Sequence, residues 1–144
     1  MYIANDGVVI KNLVIDGNNV AHSDNLIEIY SNATLENVTV KNGKKNGIYV
    51  NHNGQGEITV NFKDITTEGN AWAGIGLVAQ NENAVLNAIF TGNNSFGETV
   101  GVYSEQGKSE SDTDTYKGSV NVSGLEEYQH PTKPDFQKAY KVAE

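Results

Sequence analysis

Leu35-Glu36-Asn37-Val38-Thr39-Val40-Lys41-Asn42, with Asn46-Gly47-Ile48-Tyr49-Val50 just after it, decides how this chain folds, because both phrases recur. The first has counterparts in Ile10-Lys11-Asn12-Leu13, Phe62-Lys63-Asp64-Ile65 and Leu86-Asn87-Ala88-Ile89. The second has counterparts in Leu26-Ile27-Glu28-Ile29, Gly74-Ile75-Gly76-Leu77 and Val100-Gly101-Val102. A period of roughly 25 residues marks one supersecondary unit, too small to bury its own apolar face, so the units must stack. Two strands per unit, stacked in parallel, make a β-solenoid.

Aligning the units gives inward columns Ile10/Leu35/Phe62/Leu86, Leu13/Val38/Ile65/Ile89, Ile27/Ile48/Ile75/Val100 and Ile29/Val50/Leu77/Val102. All are apolar, as a buried face of stacked parallel strands requires. Ile15/Val40/Thr67/Thr91 is β-branched throughout, which suits a strand. The outward positions test the alignment independently. Lys11/Glu36/Lys63 and Asp16/Lys41/Glu68 alternate in sign, as rungs about 4.8 Å apart demand.

The turn columns Gly17/Asn42/Gly69/Asn93 and Asn18/Gly43/Asn70/Asn94 hold only Gly and Asn, which accept positive φ most cheaply. Asn12/Asn37/Asp64 sits at a bend and is expected to form a side-chain ladder between rungs, interrupted at Ala88. Ser119-Val120-Asn121-Val122 supplies a fifth, less regular turn after a polar insertion from Ser104 to Gly118. Beyond Leu125 the prolines Pro131 and Pro134 do not suit a ladder, and residues 136–142 are expected as a short helix or strap over the open end. The division is residues 1–125 for the solenoid and 126–144 for a C-terminal cap. The N-terminus enters almost directly into a rung, so the chain is expected to be flanked by further domains of a longer protein.

The 144 residues carry a net charge of −8 with 10 lysines and no arginine. That balance argues against nucleic acid and anionic membrane surfaces, which select clustered Lys and Arg. Cysteine is absent, which excludes disulfides and thiolate metal sites. No apolar run approaches the roughly 18 residues of a membrane span.

The quoted phrases resemble the repeat of right-handed parallel β-helix proteins, the pectin-lyase-like superfamily, over residues 7 to 125. The resemblance implies an all-β, right-handed parallel β-helix of about four to five turns with a C-terminal cap. It further implies extracellular or cell-surface placement and a polysaccharide or cell-surface glycan as partner. Activity does not follow, because this architecture serves lyases, glycosidases, adhesins and plain spacers alike. Lyases resembling this chain use Arg or Lys as base, often with Ca²⁺. Lys11 and Lys63 flank Glu36 and are expected to serve the charge ladder. The paired aspartates, Gly-His-Gly and Arg-x-Lys of the related hydrolases are missing, and His22, His52 and His130 lack the flanks. Hydrolysis needs two carboxylates facing each other, whereas the outward column Glu28/Tyr49/Gly76/Gly101 supplies one.

The expected function is therefore a non-catalytic extracellular module, binding carbohydrate or serving as a rigid spacer, with no cofactor and no catalytic or metal-ligating residue assigned. The alternative is a polysaccharide lyase acting by β-elimination with Ca²⁺. The candidate glycan face is Glu28, Tyr30, Tyr49, Asn51, His52 and Tyr103, with Gly76 and Gly101 opening space between them. Aromatic faces stack on sugar rings while amides and carboxylates bond hydroxyls. The competing reading is that tyrosines simply pack well on a pleated surface. Trp72 is expected to fold over a rung and shield it, and Glu110, Asp112 and Asp114 are expected to form a solvated loop rather than a Ca²⁺ site.

Overall fold

The alternation in the repeats becomes strand throughout. A computed structural model, which describes residues 1–20, 24–105, 107–108 and 115–144, holds fifteen strands and no helix among them. In chain order these are β1 (Tyr2–Ile3), β2 (Val8–Asp16), β3 (Ile27–Ile29), β4 (Ala33–Lys41), β5 (Ile48–His52), β6 (Gly56–Glu68), β7 (Ile75–Ala79) and β8 (Ala84–Thr91). There follow β9 (Ser95–Phe96), β10 (Val102–Glu105), β11 (Gly107–Lys108), β12 (Thr115–Tyr116), β13 (Ser119–Ser123), β14 (Glu126–Gln129) and β15 (Gln137–Lys141). Alternate strands feed two stacks. Sheet A runs β1-β3-β5-β7-β10-β15-β14 and sheet B runs β13-β8-β6-β4-β2, with β9 also on β6. Pairing within the stacks is parallel up to the final hairpin, giving a β-solenoid of about four turns.

Through the first three rungs the register is the one read from the repeats. Ile10 pairs with Leu35 and Leu35 with Phe62, while Ile27, Ile48 and Ile75 stack in the other sheet. Leu35, Phe62, Ile27, Ile48 and Ile75 are fully buried. The sign alternation also holds: Glu36 lies between Lys11 at 3.2 Å and Lys63 at 3.3 Å. Both lysines hold its carboxyl below the usual range. Asn12, Asn37 and Asp64 all adopt positive φ, near 55°, and Asn37 Nδ2 donates to Asn12 Oδ1 at 2.8 Å.

The fourth rung departs from the expected alignment. Leu86 pairs with Ile58 and Ala88 with Val60; the partner of Phe62 is Phe90, whose ring stacks on it at 4.7 Å. The cause is β6, which at 13 residues starts well ahead of Phe62: Val60 continues the inward column of Val8 and Ala33, and Ile58 adds a further inward site before it. Leu86-Asn87-Ala88-Ile89 mimics the repeat phrase but fills those sites. Gly92, with φ 71°, then takes the left-handed position above Asp64 that the alignment assigned to Ala88. Sheet A shifts by two: Val102 pairs with Ile75 and Ser104 with Leu77. The outward column is thus Glu28/Tyr49/Gly76/Tyr103, with Tyr103 in the place expected for Gly101.

The C-terminal segment is strand, not helix. β15 pairs antiparallel with β10, and β14 with β15, so the chain extends sheet A after its two prolines. Tyr140 joins the core, and its hydroxyl lies 2.9 Å from Ser104 Oγ. Gln137 Nε2 donates to Glu105 Oε1 at 2.7 Å.

Candidate functional site

The outward face of sheet A carries two columns, because successive side chains of a strand alternate between core and surface. One holds Tyr2, Glu28, Tyr49, Gly76 and Tyr103 in register; Asn51, Val78 and Glu105 line up in the other. Tyr30, next after Ile29 of β3, donates from its backbone N to Ile3 O.

The N-terminal half of this face is open. Tyr2 is 65% exposed and its ring stacks on half-buried Tyr30, with centroids 6.3 Å apart and planes within 16°. Glu28 is buried beside them, and both of its carboxylate oxygens are held. Oε2 accepts from the Tyr30 hydroxyl at 2.5 Å and Oε1 from Asn25 Nδ2 at 3.1 Å. The hydrogen bond to Glu28, followed by burial, pushes the Tyr30 hydroxyl up to about 12. Asp24 and Glu28 raise Tyr2 as well, so both phenols are neutral donors across the physiological range. Asn51 is half-buried, and its Oδ1 is enclosed without a hydrogen-bond donor.

The C-terminal half is closed. Tyr103 is only 7% exposed, and its ring fills the space above Gly76, where a Cβ would lie 2.6 Å from the hydroxyl. Gly101 is likewise occupied, by the side chain of Phe96. These glycines therefore make room for neighbouring side chains and open nothing to a ligand. The Tyr103 hydroxyl accepts from Asn46 Nδ2 at 3.1 Å, while Asn46 Oδ1 stays buried and unbonded. Tyr49 is half-buried and hydrogen-bonded to Tyr116. Burial raises both Tyr49 and Tyr103 well above the ordinary phenol value.

No protein-family model matches this chain, and no match is found among curated proteins or solved structures.

Of the six expected residues, Glu28, Tyr30, Tyr49 and Asn51 share the outward face, and Tyr103 shares it but is sealed. His52 does not belong there. It is the last residue of β5, has the parity of core-facing Ile48 and Val50, is 3% exposed, and places Nε2 2.8 Å from Gly56 O. Tyr2 was missed because two residues before the first apolar run gave no column to align; its pairing with Glu28 places it. Trp72 does not shield a rung: it is 61% exposed, with Lys45 Nζ 5.1 Å from its ring centre. Glu110, Asp112, Asp114 and His22 lie outside the described residues.

A groove of 330 Å³ on the outward face of sheet B is lined by Glu57, Thr59, Asn87, Asn121 and neighbours. Asn121 donates to Asn87 and Asn87 to Glu57, at 3.1 and 2.7 Å, so its polar floor is internally satisfied.

Proposed function

We propose that this chain is a non-catalytic β-solenoid module that works outside the cell and binds carbohydrate on the open half of sheet A. The reading rests on one observation: the stacked, accessible Tyr2 and Tyr30 beside a fixed Glu28 carboxylate. A sugar ring offers an apolar face to the phenols and hydroxyl groups to their polar surroundings. Catalysis lacks comparable support. Lys11 and Lys63 are engaged by Glu36, and Lys141 and Lys138 reach Glu126 and Glu127.

The test is retention on a panel of neutral and acidic polysaccharides by affinity electrophoresis. Tyr2→Ala and Tyr30→Ala should each weaken retention by about tenfold, the scale of one lost aromatic platform, while Tyr103→Phe should leave it unchanged. Retention indifferent to Tyr2 and Tyr30 overturns the site. No retention on any polymer leaves the rigid spacer. Incubation of the same panel with Ca²⁺, followed by mass spectrometry, covers the lyase alternative, since unsaturated oligosaccharides would replace binding with β-elimination.

A further inference from the structure

Asn42, Asn46 and Asn53 each precede a glycine. Asparagine is a chemically labile residue, and this neighbour makes it more so. The backbone nitrogen of the following residue can attack the asparagine Cγ, and glycine has no Cβ to obstruct the approach. The attack needs a side chain free to swing, a nitrogen not already committed to a hydrogen bond, and slack in the local backbone.

The fold withholds these conditions from two of the three pairs. Asn42 stands at φ 58°, its Nδ2 donates to Asp16 Oδ1 at 2.9 Å, and the nitrogen of Gly43 donates to Asn70 Oδ1 at 2.9 Å. Asn46 is 1% exposed, its Nδ2 donates to the Tyr103 hydroxyl, and the nitrogen of Gly47 donates to Ala73 O at 3.1 Å. Packing requires both glycines: a Cβ on Gly43 or Gly47 would lie 2.9 or 2.8 Å from the side chain of Asn70.

Asn53 differs on every count. It is exposed in the loop between β5 and β6, and among the described residues neither its side-chain amide nor the nitrogen of Gly54 has a hydrogen-bond partner. The loop is held instead by its carbonyls, since Asn81 Nδ2 donates to Asn53 O at 2.6 Å and to Gly54 O at 2.8 Å. Nor does the fold require Gly54. Its φ is not positive, and an added Cβ would make ordinary contact with His52, 3.6 Å from Cε1.

We propose that Asn53 is a self-modification site, at which the folded chain converts an asparagine into aspartate and isoaspartate. The nitrogen of Gly54 gives its proton to solvent base and bonds to Asn53 Cγ. The Cγ–Nδ2 bond breaks, ammonia leaves, and a succinimide closes. Water then opens the ring. Attack at Cγ yields an aspartyl residue, whereas attack at the main-chain carbonyl leaves the peptide link on Cγ and yields an isoaspartyl residue. Ammonia is released, one water is consumed, and nothing is oxidised or reduced. Both products bring a carboxylate into the loop. The isoaspartyl product also lengthens the backbone by one carbon and turns Asn53 O, which Asn81 holds, into part of that carboxylate.

The test is incubation of the intact chain in mildly alkaline buffer, native and in guanidinium chloride, followed by peptide mass spectrometry. Exchange of the amide for a carboxyl marks conversion, and electron-transfer fragmentation separates isoaspartate from aspartate. In the native chain Asn53 should convert at least about tenfold faster than Asn42 or Asn46, because those two react only through local opening. The rate at Asn53 should rise with pH, and in denaturant the three sites should converge. Gly54→Ala should slow Asn53 by about tenfold, since the new Cβ hinders ring closure, with the circular dichroism of the parent retained. Native conversion of Asn42 or Asn46 as fast as that of Asn53 overturns the proposal. So does an order of rates that persists in denaturant, or a Gly54→Ala chain that converts at the parent rate.

Discussion

The two ends of the solenoid meet the same problem and solve it differently. A stack of rungs leaves an apolar interior and an unpaired edge at each end. At the C-terminal end the chain turns back: β14 and β15 extend sheet A, Tyr140 closes the core, and Tyr103 is sealed over Gly76. At the N-terminal end the inward residues of β2 are half exposed, and Tyr2 and Tyr30 stand open above Glu28. The same building blocks are thus spent on closure at one end and left accessible at the other. The proposed glycan face belongs to the accessible end.

The largest expected effect compares one column at its middle and its open end. Phe62→Ala removes a fully buried ring stacked on Phe90 and should cost ~3–5 kcal/mol in urea denaturation. Ile10→Ala, in the same column but half-buried, should cost ~1 kcal/mol, scaled to the smaller area it hides. Equal costs would erase the difference between the rungs. Next comes Gly92→Ala, which combines positive φ with a Cβ driven into Asp64; it should lose ~1–3 kcal/mol. The alignment that puts Ala88 in the bend column predicts little change there. Tyr140→Phe leaves buried Ser104 without its partner and should cost ~1–2 kcal/mol, confined to the closed end.

The smallest effect is pH dependence. His130 Nδ1 accepts from the backbone N of Thr132 and Lys133 between β14 and β15, and burial, then Lys133, pull the imidazole below its ordinary value. In the pH range between that lowered value and the unfolded value near 6.5 the unfolded chain binds more protons, so stability rises with pH. The contribution is complete above the unfolded value and is lost as pH falls through the folded one. His130→Gln should flatten that slope in a series of melting curves; an unchanged slope would separate His130 from the closed end.

The fold was legible because three rungs carry the same phrase, with charge columns that test it. Lys11, Glu36 and Lys63 stack as the sign alternation requires. The fourth rung misled for a physical reason: an inward column asks only for apolar side chains, and Leu86 and Phe90 both comply. The left-handed bend is the stricter criterion, and Gly92 satisfies it where Ala88 does not. On the candidate site, period-two parity correctly set Glu28, Tyr30, Tyr49 and Asn51 outward. Parity could not say that Tyr103 would cover Gly76, because two register steps separated Tyr103 from its expected place. Nor could it turn His52 outward, since the strand runs one residue further than expected.

Hydrogen exchange of the unliganded chain, resolved by peptide mass spectrometry, tests the contrast between the ends most directly. Backbone amides of β2 should exchange much faster than those of β6 and β8, with protection persisting through β15. Protection of β2 equal to that of β6, or a β14–β15 hairpin that exchanges first, would contradict a solenoid closed at its C-terminal end and open at the other.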